Sequence, residues 1–94
     1  MKKKYLLILE YEGTAYHGWQ VQKNGLAIQE VVEKALSRIT NTKTTVLSSG
    51  RTDAGVHAEG MPAHFVTESK MSTGEFQLAL NSIFPHDITV KEVR

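Results

Sequence analysis

The chain has 94 residues, 40% of them hydrophobic and 22% charged, with a net charge of +1 and no cysteine. That balance excludes a disordered tail, and the missing cysteine excludes a disulfide framework and thiolate chemistry while fitting a reducing, cytoplasmic setting. Near-neutrality supplies no bulk attraction for nucleic acid or a membrane surface, so a role of either kind has to rest on a local site.

The opening, MKKKYLLILEYEG, begins as a signal peptide does, but its apolar run from Tyr5 to Leu9 stops at Glu10. That is short of the roughly 7–15 residues such a segment needs, and no stretch is long enough to span a bilayer. Lys2, Lys3 and Lys4 read as a solvated start. Tyr5 to Tyr11 reads as a central strand covered on both faces, with Leu6 and Ile8 on one and Leu7 and Leu9 on the other. A polar stretch follows, EGTAYHGWQVQKNG, punctuated by Gly13, Gly18 and Gly25 and carrying Tyr16 and Trp19. Ile28, Val31, Val32, Ala35, Leu36 and Ile39 then recur at helical spacing, with Glu30 and Lys34 an i,i+4 pair on the polar side.

Thr44 to Ser48 and Ala63 to Thr67 read as the second and third strands, joined by the glycine-rich stretch SGRTDAGVHAEG. Ser72 and Glu75 have capping-box spacing ahead of a helix whose apolar face is Phe76, Ala79, Leu80, Ile83 and Phe84, and Pro85 ends it. Ile88 to Val93 alternates weakly and makes the last strand. The order β-α-β-β-α-β predicts an α+β, ferredoxin-like sandwich over residues 1–94, a four-stranded antiparallel sheet with two helices on one face. Its other face, without a helix layer, is expected to meet a partner domain, a ligand or a second copy of the chain.

In the stretch from Ser49 to Gly60, Arg51 and Asp53 stand two positions apart among Gly50, Ala54, Gly55, Ala58 and Gly60. Side chains two apart on an extended segment point the same way. A guanidinium beside it would hold the Asp53 carboxyl below the usual carboxylate range and keep it ionised. Such a group suits fixed-anion or nucleophilic work at a sugar carbon better than proton abstraction near neutral pH. The same residue types also fit a plain surface turn with an ion pair. His17, His57, His64 and His86 include no pair at the i,i+4 spacing of a helical zinc site, so no metal is expected. His57 fits a hydrogen bond to nearby backbone.

The run GRTDAGVHA, Gly50 to Ala58, resembles without a gap the catalytic motif of the TruA family of tRNA pseudouridine synthases. YEGTAYHGWQVQ, AHF and ALNSIFPHDITV resemble three further family segments in order and position, so the likeness runs from about Tyr5 to Val93. The resemblance implies that Asp53 is the catalytic residue and that Arg51 helps displace the target base and hold its phosphate. Gly50, Thr52, Ala54, Gly55 and His57 would complete the substrate-binding loop. It further implies that uracil leaves C1′ of a uridine, turns and rejoins through carbon, with no metal or cofactor, in the anticodon stem-loop of tRNA. Glu12 departs from the family's usual Asp, and Met61 stands where Gln is common, a change expected to alter hydrogen bonding beside the site. Family catalytic units have two similar halves, and the chain resembles the N-terminal one, so alone it is expected to be inactive. A non-catalytic RNA-binding module of RNA-recognition-motif topology is the alternative, weakened by the single Phe of AHFVTE.

Overall fold

A computed structural model describes residues 2–12, 27–48 and 58–94. Strand β1 (Lys3–Tyr11) is followed by helix α1 (Ile28–Thr40), strands β2 (Leu47–Ser48) and β3 (Ala58–Thr67), helix α2 (Thr73–Ile83) and strand β4 (Ile88–Val93). The strands form one antiparallel sheet in the order β2-β3-β1-β4. This is the expected ferredoxin-like arrangement. Among the described residues no helix is long and apolar enough to cross a membrane.

Alternation decides which face of the sheet is covered. Tyr5, Leu7, Leu9 and Tyr11 of β1 are buried, as are Met61, Ala63, Phe65 and Thr67 of β3. All but Thr67 share one core with Ile28, Val32, Ala35 and Leu36 of α1 and Phe76 and Leu80 of α2, which puts both helices on that face. Tyr5, Phe65 and Phe76 form its aromatic centre: Tyr5 stacks on Phe65 at 5.4 Å, and Phe76 meets Phe65 edge-on at 5.3 Å. The Tyr5 hydroxyl leaves the core by donating to the Met71 carbonyl at 3.0 Å. Leu6 and Ile8 are only half-buried, which corrects the reading of β1 as covered on both faces. Its apolar run exceeds what one helix layer can cover.

The helix ends follow local chemistry. Ser72 and Glu75 close the capping box, with the Glu75 N–H donating to Ser72 Oγ at 3.1 Å and the Ser72 N–H to Glu75 Oε1 at 2.9 Å. α1 ends at Asn41, whose φ of 56° is the left-handed conformation that Asn tolerates better than most residues. Glu30 and Lys34 pair at 3.3 Å as their spacing suggests.

Two strand boundaries differ from expectation. Only Leu47 and Ser48 of the stretch 44–48 join the sheet, opposite His64 and Ala63. The backbone just before them turns to α1: the Thr44 N–H donates to Ser37 Oγ at 2.9 Å and the Val46 N–H to Glu33 Oε2 at 2.8 Å. β3, by contrast, starts five residues earlier than Ala63, because Ala58 to Pro62 find partners along β1 as far as Tyr11. The weak alternation of β4 has a cause too. The register shifts so that Ile8 faces Glu92 while Leu9 faces Val90, leaving Lys91 as an extra residue.

Candidate active site

Gly50, Arg51, Thr52, Asp53, Ala54, Gly55 and His57 lie outside the described residues, as do Tyr16, His17 and Trp19. The described residues on either side of them show where these segments attach. β1 and β2 finish, and β3 and β4 begin, at the same end of the antiparallel sheet. At its rim Ala58, Tyr11 and Ile88 stand side by side on three strands, and the Glu12 N–H donates to the Asp87 carbonyl at 2.9 Å. Segment 13–26 follows Glu12, and segment 49–57 precedes Ala58. Both motif-bearing segments therefore attach at one end of the molecule.

The two attachments of segment 49–57 are unequal. Ser48, the last described residue before it, faces Ala63, and Ala58, the first after it, lies five residues closer to the rim. At strand spacing that is roughly 16 Å along β3. On this length of β3, β1 is the one strand pairing with it among the described residues. Gly60 lies here, exposed, and a Cβ there would come no nearer than 3.9 Å to Ile8 Cγ2. Described packing thus leaves room above it. Met61, beside it, turns inward opposite Leu9, with Ser48 Oγ 3.7 Å from its sulfur. Its side chain packs in the core, so the Met that replaces a Gln is a packing residue, joined weakly to the last residue of β2.

The uncovered sheet face carries a row, Leu47, His64 and Leu6 on three strands with Arg94 just past the end of β4, and Pro62, Ile8 and Glu92 beside it. Arg94 pairs with Glu92 at 2.9 Å. Tyr5, Tyr11 and Phe65 all belong to the buried core beneath the other face. The described strands therefore offer no aromatic platform for stacking bases, and this weighs against the RNA-recognition-motif alternative. No group of three or more His, Asp or Glu among the described residues could hold a metal ion.

One feature of this region escaped the sequence reading. Gln29 and Glu33, one turn apart on α1, hold both backbone groups of Val46: Gln29 Nε2 donates to the Val46 carbonyl at 3.0 Å, and Glu33 Oε2 accepts from its N–H. Gln29 Nε2 also donates to the same Glu33 oxygen at 3.3 Å. Their i,i+4 spacing was the available signal, but it is equally that of two polar residues on a solvated face.

Comparison with known proteins adds to this geometry. A family model described as tRNA pseudouridine synthase matches residues 7–94. The tRNA pseudouridine synthase A of Ruminiclostridium cellulolyticum is 48% identical over 89 residues, 95% of this chain and 36% of the relative. That of Chlamydia muridarum is 48% identical over 96 residues, 99% of this chain and 36% of the relative. That of Citrifermentans bemidjiense is 54% identical over 86 residues, covering 92% and 34%. The chain spans about a third of the length of the curated relatives it matches.

Proposed function

This chain belongs to the tRNA pseudouridine synthase family, and we propose that it is the part of such an enzyme that carries the catalytic carboxylate, Asp53. The observation that supports this most is the match over residues 7–94, which takes in the uninterrupted run from Gly50 to Ala58. The attachment of segments 13–26 and 49–57 at one end of the sheet agrees with it, since a site assembled from both needs them close together.

In the proposed reaction the N1–C1′ bond of a uridine breaks, the uracil turns, and a C5–C1′ bond forms. The C5 proton is lost and N1 regains one, so the product is an isomer and no oxidant or cofactor enters the balance. Asp53 supplies a standing anion or nucleophile at the sugar. Arg51 holds phosphate and fills the space left by the displaced base, which leaves the stack at a cost of a few kcal/mol. Gly50, Thr52, Ala54, Gly55 and His57 line the nucleotide path. The substrate is the anticodon stem-loop of tRNA, the setting the cytoplasm, and the missing partner a second domain of similar topology that completes the cleft.

The test is a pseudouridine-formation assay on unmodified tRNA, using the chain alone, the chain with the C-terminal remainder of a curated relative, and both again with Asp53→Asn. Turnover by the combination, absent from the chain alone and abolished by Asp53→Asn, is the expected result. Undiminished turnover by the Asp53→Asn combination would overturn the assignment of Asp53. Turnover by the 94-residue chain alone would overturn the need for a second domain.

A further inference from the structure

Strand β4 ends the sheet, with β1 on one side and no strand on the other among the described residues. The phase of its pairing is fixed at both ends. Leu6 and Arg94 exchange both backbone bonds, at 3.0 and 2.8 Å, and the Glu12 N–H donates to the Asp87 carbonyl at 2.9 Å. In an antiparallel pair such residues alternate with ones whose backbone groups point away from the partner. Counted from Asp87, Ile88 and Val90 turn theirs to the outer edge, and these groups are already met from within the chain. The Ile88 N–H donates to the Pro85 carbonyl at 3.1 Å. Asn81 of α2 meets Val90 with both ends of its amide, Nδ2 donating to the carbonyl at 3.0 Å and Oδ1 accepting the N–H at 2.8 Å. Gln77, one turn earlier, donates Nε2 to the Lys91 carbonyl at 3.2 Å. A donor and an acceptor presented to one residue is what an opposing strand supplies, and a primary amide carries the same two groups as a peptide bond. Asn81 therefore stands where a residue of a fifth strand would.

We propose that the outer edge of β4 is a docking surface for β4 of a second copy of this chain, held shut by Asn81 and Gln77. An uncovered strand edge is where chains join one another. β4 has the side chains for it, since Ile88, Thr89, Val90 and Val93 are all β-branched and favour a strand. The occupant is a second copy because two such edges run antiparallel about a two-fold axis, so that each offers the donors and acceptors the other needs. With the two amides in place, an approaching strand finds Val90 and the Lys91 carbonyl occupied and has to break three bonds to pair. Without them the same groups are left to water or to the second copy. A net gain of about 1 kcal/mol for a hydrogen bond, made in both copies at once, is enough to tighten association by roughly tenfold or more.

The test is sedimentation velocity of the 94-residue protein over a concentration series, with hydrogen exchange read at the Val90 amide. The variants are Gln77→Ala with Asn81→Ala, the milder Asn81→Ala alone, and Asn81→Asp. The aspartate still accepts the Val90 N–H and keeps a charged group on the edge, yet it cannot donate to the carbonyl, so it loses stability much as alanine does. The parent is expected to show a Val90 amide protected at every concentration. Both alanine variants are expected to dimerise at least roughly tenfold more tightly than the parent, with Val90 exchanging when dilute and protected when dimeric. Asn81→Asp is expected to associate no more than the parent. The parent has the same open sheet face, so this comparison separates the β4 edge from association through Leu47 and Val66. A Val90 amide that exchanges freely in the parent overturns the proposal, and that measurement needs no variant. So does a folded Asn81→Ala that associates no more than the parent. Equal association by the alanine and aspartate variants overturns it as well, because lost stability and not an opened edge would then be the cause.

Discussion

Asn81 holds Val90 much as Gln29 and Glu33 hold Val46, but with one side chain: its Nδ2 donates to the Val90 carbonyl at 3.0 Å and its Oδ1 accepts the Val90 N–H at 2.8 Å. Removing that amide leaves two polar groups unpartnered at a residue that is 1% exposed. Asn81→Ala is therefore expected to cost about 1–3 kcal/mol in urea unfolding, and Asn81→Asp nearly as much, because a carboxylate cannot donate to the carbonyl. Phe76, fully buried between two other rings, is the other costly position. Phe76→Ala should lose about 3–5 kcal/mol, enough to unfold a domain this small at ordinary temperature. Gly60 is the contrasting case, with room for a Cβ among the described residues, so Gly60→Ala should leave the melting temperature unchanged or slightly higher.

At the scale of the element, α2 depends on its first turn. The Glu75 carboxyl is held below the ordinary carboxylate range, chiefly by its hydrogen bond from the Ser72 backbone and then by the Ser72 side chain. A carboxyl whose folded value is depressed contributes its stabilisation fully above the unfolded value and loses it as pH falls through the folded one. The stability difference between the protein and its Glu75→Gln variant should thus be constant near neutrality and shrink below about pH 4, which paired urea titrations across pH 3–7 would read. Ser72→Ala, which removes the other half of the box, should cost about 1 kcal/mol near neutrality. The two edge-proximal strands share a different dependence. α1 answers the backbone entering β2, and α2 answers β4 at Val90 and, through Gln77, at Lys91, where its Nε2 donates to the carbonyl at 3.2 Å. Each helix thereby holds the strand that the sheet holds least.

For the whole molecule, the face without helices sets the behaviour to expect. Leu47 is 60% exposed and Val66 49%, in a field that also holds Leu6, Ile8 and Pro62. Leu47→Lys and Val66→Lys should each change folding stability by no more than about 0.5 kcal/mol, since neither side chain enters the core. A net charge of +1 gives the chain little long-range attraction for RNA. Fluorescence anisotropy with labelled tRNA should accordingly give a dissociation constant in the range of about 10⁻⁴–10⁻⁶ M or weaker, rising steeply with salt. Tight, salt-insensitive binding by the 94 residues alone would show that base contacts dominate instead.

Period and local chemistry in the sequence determined the kind and order of every element, the covered side of α1 and α2, the capping box, the end of α2 before Pro85, and the family. They succeed because a helix face, a cap or a turn is built from residues within a few positions of one another. The run holding Arg51 and Asp53 is an unbroken local motif in the sequence, and it lies outside the described residues. Tertiary structure alone decided that the pairing of β2 begins at Leu47, that β3 takes in Ala58 to Pro62, which face of β1 is covered, and where β4 bulges. Thr44 to Val46 has strand-favouring side chains, yet its backbone bonds go to Ser37 and Glu33. Ala58 to Pro62 contains a glycine and a proline, yet pairs with β1. In each case the outcome depends on which distant segment offers a partner for a backbone N–H or carbonyl. That information lies in the packing of α1 against β2, and of β3 against β1, not in the residues of either strand.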